Sequence, residues 1–227
     1  QFLSPYFDEI HVPKLKYLIV TAEAANADLL QRFRGCAPNA EFVNLYGPTE
    51  ATIYCTAYRI PPENCKQHNG MIAIGRPFSG LETIIMDEKG MPVAEGEQGE
   101  LWVSGEQVMR GYWQDEDKSR QVFARFNGKE YYKTGDLCSV DSDGDIIYRG
   151  RKDYQVKVQG FRVELSEIEY RTKKFFPNET HAVVIPKKED DGGCQLHLFV
   201  GTDSHEREAL LHYLKEHLPV YMLPTEI

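Results

Sequence analysis

The stretch Asn44-Leu45-Tyr46-Gly47-Pro48-Thr49-Glu50, NLYGPTE in one-letter code, sets an aromatic ring, a hydroxyl and a carboxylate along a turn stiffened by Gly and Pro. A base needs a flat surface, a phosphate needs a hydroxyl, and a metal or ammonium group needs a carboxylate, so one ligand can use all three. The residues leading into it, AEFVNLY, read as a strand. Upstream, KLKYLIV (14–20) reads as a buried strand, and NADLLQRFRG (26–35) as a short helix opened by an Asn cap and closed by Gly. Together these make a β-α-β unit. Ligands collect beyond the carboxyl ends of such strands, where Thr21-Ala22-Glu23 and Tyr46-Gly47-Pro48 are expected.

Working outward, composition limits the admissible functions. The chain has 227 residues, 41% of them hydrophobic and 11% aromatic, which suits one large or two modest globular domains. No apolar run approaches the roughly 20 residues of a membrane span. A net charge of -9 argues against generic nucleic-acid binding. Cys36, Cys55, Cys65, Cys138 and Cys194 form no C-x-x-C pair, which fits reduced thiols in a cytoplasm better than a disulfide or zinc framework. The seven His show no paired-ligand spacing. The opening QFLSPYFDEI has neither an initiating Met nor a signal-peptide pattern, so the chain reads as a piece of something longer.

Three textures follow one another. After the β-α-β unit, residues from about 76 to 151 show short strands with turn signals (ETIIMDEKGMPV, GELWVSG, YYKTGDLCSVDSDGDIIYRG), read as a twisted antiparallel β subdomain. Beyond Lys152, VELSEIEYRTKKFF reads as a helix and THAVVIPKKEDDGGCQLHLFV as two strands around an Asp-Gly-Gly turn. SHEREALLHYLKEHL then reads as an amphipathic helix opened by Ser204. The fold class is therefore α/β followed by a small α+β lobe. Its boundary lies in the charged run Arg149-Gly150-Arg151-Lys152-Asp153, giving domains 1–152 and 153–227.

Taken singly, each polar stretch has an ordinary explanation. NLYGPTE is explained by a β-to-α turn in which Thr49 caps a helix. GELWVSGEQVMRGYW is explained by a strand with Tyr112 and Trp113 as core, and YYKTGD by a Thr-Gly-Asp turn whose Asp136 is solvated or grips a diol. RGRKDYQVKVQGFRVELSEIE is explained by a basic surface on which Arg151 and Lys157 would also meet ribose or phosphate oxygens. Asp141, Asp143 and Asp145 in DSDGD approach a calcium loop, but the Gly falls early and no distal Glu completes the set, so a hairpin turn explains them better.

Order overturns these separate explanations. NLYGPTEAT, GELWVSGEQVMRGYW, YKTGDL, GRKDYQVKVQGFRVELSEIE and LPVYMLP follow one another at the separations seen in adenylate-forming enzymes. Over nearly all its length the chain resembles the amino-acid adenylation domains of nonribosomal peptide synthetases and the closely similar D-alanine–carrier protein ligases. Asn44 and Pro48 favour this amino-acid branch over the acyl-coenzyme A synthetases. The resemblance implies the C-terminal part of a large adenylation lobe followed by a small mobile lobe. It implies an ATP-dependent activation of an amino acid as its adenylate, with release of pyrophosphate, then transfer to the phosphopantetheine thiol of a carrier protein.

The same resemblance implies the site. Tyr46 stacks on adenine beside Asn44 and Gly47, Thr49 bonds the α-phosphate, Glu50 holds Mg2+, Asp136 takes the ribose hydroxyls with Arg151 beside it, and Lys157 approaches the nucleotide in one lobe orientation. Thr21, Leu45, Ile53 and Tyr54, with Ile19 behind them, line a pocket for a small or medium neutral amino acid. Asp153 is the hinge and Gly160 leaves room for the pantetheine. The family's upstream phosphate loop and downstream catalytic Lys fall outside the chain, and Thr21-Ala22-Glu23 replaces the more usual Gly-Gly-Glu. The chain alone is accordingly expected to turn over poorly. An acyl- or aryl-coenzyme A ligase, or a module that binds nucleotide or carrier protein without catalysis, are the alternatives.

Overall fold

Strand β1 (Tyr17–Val20) runs parallel to β2 (Glu41–Tyr46), with helix α1 (Ala27–Arg34) between them in the chain. The computed structural model describes residues 3–22, 25–152, 155–176, 181–189, 193–201 and 206–227. Helix α1 begins where Asn26 Oδ1 accepts the Leu29 amide at 2.9 Å, with Asp28 in its first turn and Arg32 and Arg34 in its last, each on the favourable end of the helix dipole. Arg34 then donates to the carbonyls of Ile60 (2.7 Å) and Pro61 (2.9 Å), tying the helix to the end of the strand that follows β2. The expectation of a buried strand over 14–20 needs correction. The strand is shorter, lies at the edge of its sheet, and alternates, leaving Tyr17 and Ile19 (56%) exposed.

Strand β3 (Thr56–Ile60) pairs antiparallel with β2. A short hairpin, β4 (Gln67–His68) and β5 (Met71–Ile72), follows, and β6 (Arg76–Pro77) pairs with β3 to complete a sheet of order β1-β2-β3-β6. A second, antiparallel sheet contains β7 (Leu81–Met86) and β8 (Gly99–Gly105), then, after helix α2 (Glu116–Val122), β9 (Phe123–Phe126), β10 (Lys129–Val140) and β11 (Ile146–Arg151). Its order is β11-β10-β8-β7, with β9 added on β10. Helix α2, capped by Asp115, went unread in the sequence because none of its residues is buried and no apolar stripe marks it. Tyr46, Ala51, Cys55 and Ile74 from the first sheet region pack with Ile85, Leu101, Val103, Cys138 and Ile146 from the second. One core therefore fixes the end of β2 against β10.

Contacts divide the chain into two units, Gln1–Lys152 and Asp153–Ile227. The second contains a hairpin of β12 (Gln155–Val158) and β13 (Phe161–Glu164), helix α3 (Leu165–Phe175), the antiparallel pair β14 (Ala182–Lys188) and β15 (Cys194–Val200), and helix α4 (Arg207–His217). Its core is built from Val158, Val163, Ile168, Leu196, Leu198, Leu210 and Leu214. The helix expected from Val163 starts two residues later, since Val163 and Glu164 pair in the hairpin. Ser204 lies outside the described residues, as do Asp191 and Gly192 of the expected turn. Among the described residues no helix is long and apolar enough to cross a membrane.

Candidate functional site

The end of β2 meets the middle of β10 at Asp136. This carboxylate is 6% exposed, accepts a hydrogen bond from the Tyr46 hydroxyl, and forms an ion pair with Arg151 Nη1 at 2.8 Å. Burial, and after it the Asp136 charge, push the Tyr46 phenol well above its usual value, so it stays a donor. The expected Thr-Gly-Asp turn is a correction: Thr134, Gly135 and Asp136 lie inside β10, where the pairing with β8 shifts register between Lys133 and Leu137. Within this irregularity Thr134 Oγ1 donates to the Leu101 carbonyl and accepts the Asp136 amide, while Glu100 accepts the Gly135 amide. Asp136 is thus fixed on a strand, and it pairs across the hairpin with Arg151 in register.

On β2 the side chains alternate, so Asn44 and Tyr46 share the buried face. Asn44 Nδ2 donates to the Ala73 carbonyl at 2.9 Å, which orients the amide. Ile19 is in register with Val43, and Leu45 lies two residues beyond Val43, so Ile19 and Leu45 share the opposite face. Thr21, half-buried, follows β1 directly.

After Tyr46 the chain makes a narrow excursion and returns at Cys55, whose amide donates to the Tyr46 carbonyl at 2.7 Å. A Cβ at Gly47 would stand 2.6 Å from the Ile53 carbonyl oxygen and 2.8 Å from the Cys55 nitrogen, so only glycine admits this return. Thr49–Ala51 form one 3-10 turn. Thr49 does not cap it: Pro48 occupies that position, with no side-chain bond, and Thr49 is exposed. Thr52 and Ile53 follow at φ 55° and 73°, with Ile53 59% exposed and Tyr54 half-buried.

Glu50, 7% exposed, accepts the Tyr112 hydroxyl at 2.7 Å through Oε1. Burial, followed by this bond to Glu50, raises the Tyr112 phenol. Tyr112 and Trp113 are not a core pair: strand β8 ends at Gly105, and Trp113 is 88% exposed. Gln107 had no role in the sequence reading, and Tyr112 was expected only as core. Gln107 Nε2 donates to the carbonyls of Ala51 and Tyr54, both at 2.6 Å. Neither role had a local signal, since both partners lie more than 50 residues away.

In the second unit Lys157 is exposed on β12, and Gly160 (φ 82°) follows Gln159 (φ 51°) in the tight turn to β13. Asp153 and Glu23 lie outside the described residues. The DSDGD loop is the β10–β11 turn, in which Asp141 Oδ1 accepts the amides of Asp143 and Asp145. Lys66 Nζ sits 2.8, 2.7 and 2.5 Å from carboxylate oxygens of Asp141, Asp143 and Asp145. The hydrogen bonds it donates to these three carboxylates raise the pKa of the Lys66 ammonium, which therefore stays charged. Among the described residues no cluster of three or more His, Cys, Asp or Glu is arranged to hold a metal ion.

The chain is similar to known proteins. The AMP-binding enzyme family matches residues 4–113. The chain is 36% identical over 219 residues to the zwittermicin A synthase ZmaJ of Bacillus cereus, covering 94% of this chain and 41% of that protein. It is 31% identical over 235 residues to the D-alanine--D-alanyl carrier protein ligase of Streptococcus pyogenes serotype M4, covering 99% and 46%. Among solved structures, the Vibrio cholerae adenylation domain AlmE, in complex with glycyl-adenosine-5'-phosphate, superposes with a TM-score of 0.85 at 29% identity, covering 94% of this chain and 41% of that one. The chain spans less than half the length of these relatives. Its mixed sheets and few helices have the fold of the C-terminal part of an adenylation domain, and its first half carries the match to the AMP-binding enzyme family.

Proposed function

We propose that the protein to which this chain belongs activates an amino acid with ATP, releasing pyrophosphate, and passes the aminoacyl group to the phosphopantetheine thiol of a carrier protein in the cytoplasm. The observation that carries this reading is the convergence of three distant motifs on one carboxylate: Tyr46, Asp136 and Arg151. Around them, Tyr46 and Gly47 form the adenine wall. With Nδ2 held by Ala73, Asn44 presents Oδ1 to the base's amino group. Asp136 accepts from the ribose hydroxyls while Arg151 offsets its charge.

The reaction is attack of a substrate carboxylate oxygen on the α-phosphorus of ATP, with the P–O bond to pyrophosphate breaking. This chain's residues position and stabilise rather than bond covalently. The exposed Thr49 hydroxyl donates to the α-phosphate. Ile19, Thr21, Leu45, Ile53 and Tyr54 take the amino-acid side chain, and their mostly apolar character suits a small or medium neutral residue. Ile19 and Leu45 lie on the sheet face opposite Asn44 and Tyr46, which brings amino acid and nucleotide together only beyond the strand end.

Glu50 fits Mg2+. It is a buried carboxylate oriented by a hydroxyl donor, and Mg2+ characteristically takes one or two carboxylates together with substrate phosphates and water. Bound there, the ion would offset phosphate charge. Lys157 serves the nucleotide, Asp153 the hinge between the 1–152 and 153–227 domains, and Gly160 the passage of the pantetheine thiol.

The test is exchange of labelled pyrophosphate into ATP by the protein containing this chain, across L- and D-amino acids. Exchange stimulated by one or a few amino acids is expected. Silence with every amino acid, alongside exchange with other carboxylic acids, would move the protein to the acyl or aryl branch.

A further inference from the structure

We infer that Gln107 is a positioning residue that shapes the amino-acid pocket from outside it, an inference that rests on the pocket reading above. The segment from Ala51 to Tyr54 has an unfavourable backbone. Thr52 and Ile53 are consecutive residues at positive φ, and both are β-branched, the side-chain class that tolerates this region least. Such conformations persist only where surrounding structure over-determines them.

Gln107 supplies that determination. Its amide nitrogen has two N–H donors, and they go to the carbonyls of Ala51 and Tyr54, the residues on either side of the unfavourable pair. Both partners are acceptors only, so the orientation of the amide is unambiguous. In return Thr52 Oγ1 donates to the Gln107 carbonyl at 2.6 Å, and two residues on, the Met109 amide donates to the Glu50 carbonyl at 2.7 Å. Residues 107–109 thus strap the whole excursion from Glu50 to Tyr54. Ile53 and Tyr54, which reach the substrate, get their placement from a side chain that does not.

The test removes the strap at either end. Gln107→Leu keeps the side chain's bulk and loses both donors. Thr52→Val loses the return bond, and Thr52→Ser keeps it. Backbone amide hydrogen exchange at Cys55 and Met109 is read on this chain. KM for amino acid and for ATP are read separately on the protein that contains it.

In Gln107→Leu, amide exchange is expected to rise about tenfold or more, the scale of two lost neutral hydrogen bonds. KM for the amino acid should rise similarly, with KM for ATP within about twofold and the preference among amino acids broadened. Thr52→Val should follow in the same direction, and Thr52→Ser should behave as the parent. Unchanged amide exchange in Gln107→Leu, or an equal rise in both KM values, overturns the inference. A parent protein that activates no amino acid overturns the proposed function instead, while the amide-exchange comparison still decides whether Gln107 holds the loop.

Discussion

The Tyr46 hydroxyl and the Asp136 carboxylate are hydrogen-bonded although 90 residues separate them in sequence. This bond joins the end of a parallel strand to the interior of an antiparallel one, and with Arg151 it gives Asp136 partners from two sides. Removing the charge therefore affects both the proposed ribose contact and the groups that Asp136 holds. Asp136→Ala is expected to weaken ATP about a hundredfold or more, and Tyr46→Phe only several-fold, because one neutral donor is lost and no charge is left unpaired. Calorimetric titration of ATP into the protein containing this chain measures both. Equal affinities for parent and Asp136→Ala would take Asp136 out of the site.

Glu50 and Tyr112 make a separate prediction about the metal. Glu50→Gln keeps an acceptor for Tyr112 but loses the charge that Mg2+ needs, so the Mg2+ concentration for half-maximal pyrophosphate exchange is expected to rise about tenfold or more. Tyr112→Phe should raise it less, by removing one group that orients the carboxylate. An unchanged Mg2+ dependence in Glu50→Gln would assign the ion to other ligands.

Alkaline pH probes the core beneath the site. Burial pushes the Cys55 thiol up to about 12 from an ordinary value of 9, and the nearby Asp136 charge adds to it. Cys138 is raised for the same first reason. The folded chain keeps these protons where the unfolded chain has released them, so this stability is fully present below pH 9 and is lost as pH rises towards 12. The slope is about 1.4 kcal/mol per pH unit for Cys55 alone. Urea unfolding across that window should show it, and Cys55→Ala should flatten it. An identical slope in the variant would mean the thiol ionises without opposition in the folded state.

Gly160 separates the two proposed half-reactions. Gly160→Trp should leave amino-acid-dependent pyrophosphate exchange within several-fold of the parent while loading of the carrier thiol falls about a hundredfold, the cost of a blocked approach. Gly160 has φ 82°, so a side chain there also strains the turn. Gly160→Asn, which tolerates positive φ, is the control and should keep more of both activities. A parallel loss of both half-reactions in the Trp variant, with the Asn variant unaffected, would remove the thiol-passage role.

Local rules account for what was legible in the sequence. Asn26 capping, the β-α-β order, the antiparallel region and the Asp141–Asp145 turn all rest on near neighbours or on two- and four-residue periodicity, which a sequence displays directly. The exposure of Ile19 was not legible, because an apolar run looks the same on a covered strand and on an edge strand with one open face. Asp136 was recognised as polar and placed in a turn; its position inside a strand depends on register with β8, which is set across more than 30 residues. The bonds of Gln107 and Tyr112 were not legible for the same reason. Their partners are chosen by tertiary packing, and nothing in QVMRGYW distinguishes an amide or phenol that reaches elsewhere from one in solvent.

Lys66 gives the DSDGD loop an independence that loops of such composition ordinarily lack. Three carboxylates crowded into one bend need a cation between them, and a calcium loop borrows one from solution, which makes its shape answer to ion supply. Here the cation is translated with the polypeptide and delivered from 79 residues away. It cannot be chelated or diluted away, and its capture costs no freedom of a dissolved particle. The bend at the tip of β10 and β11 should therefore hold the same form in EDTA as in calcium.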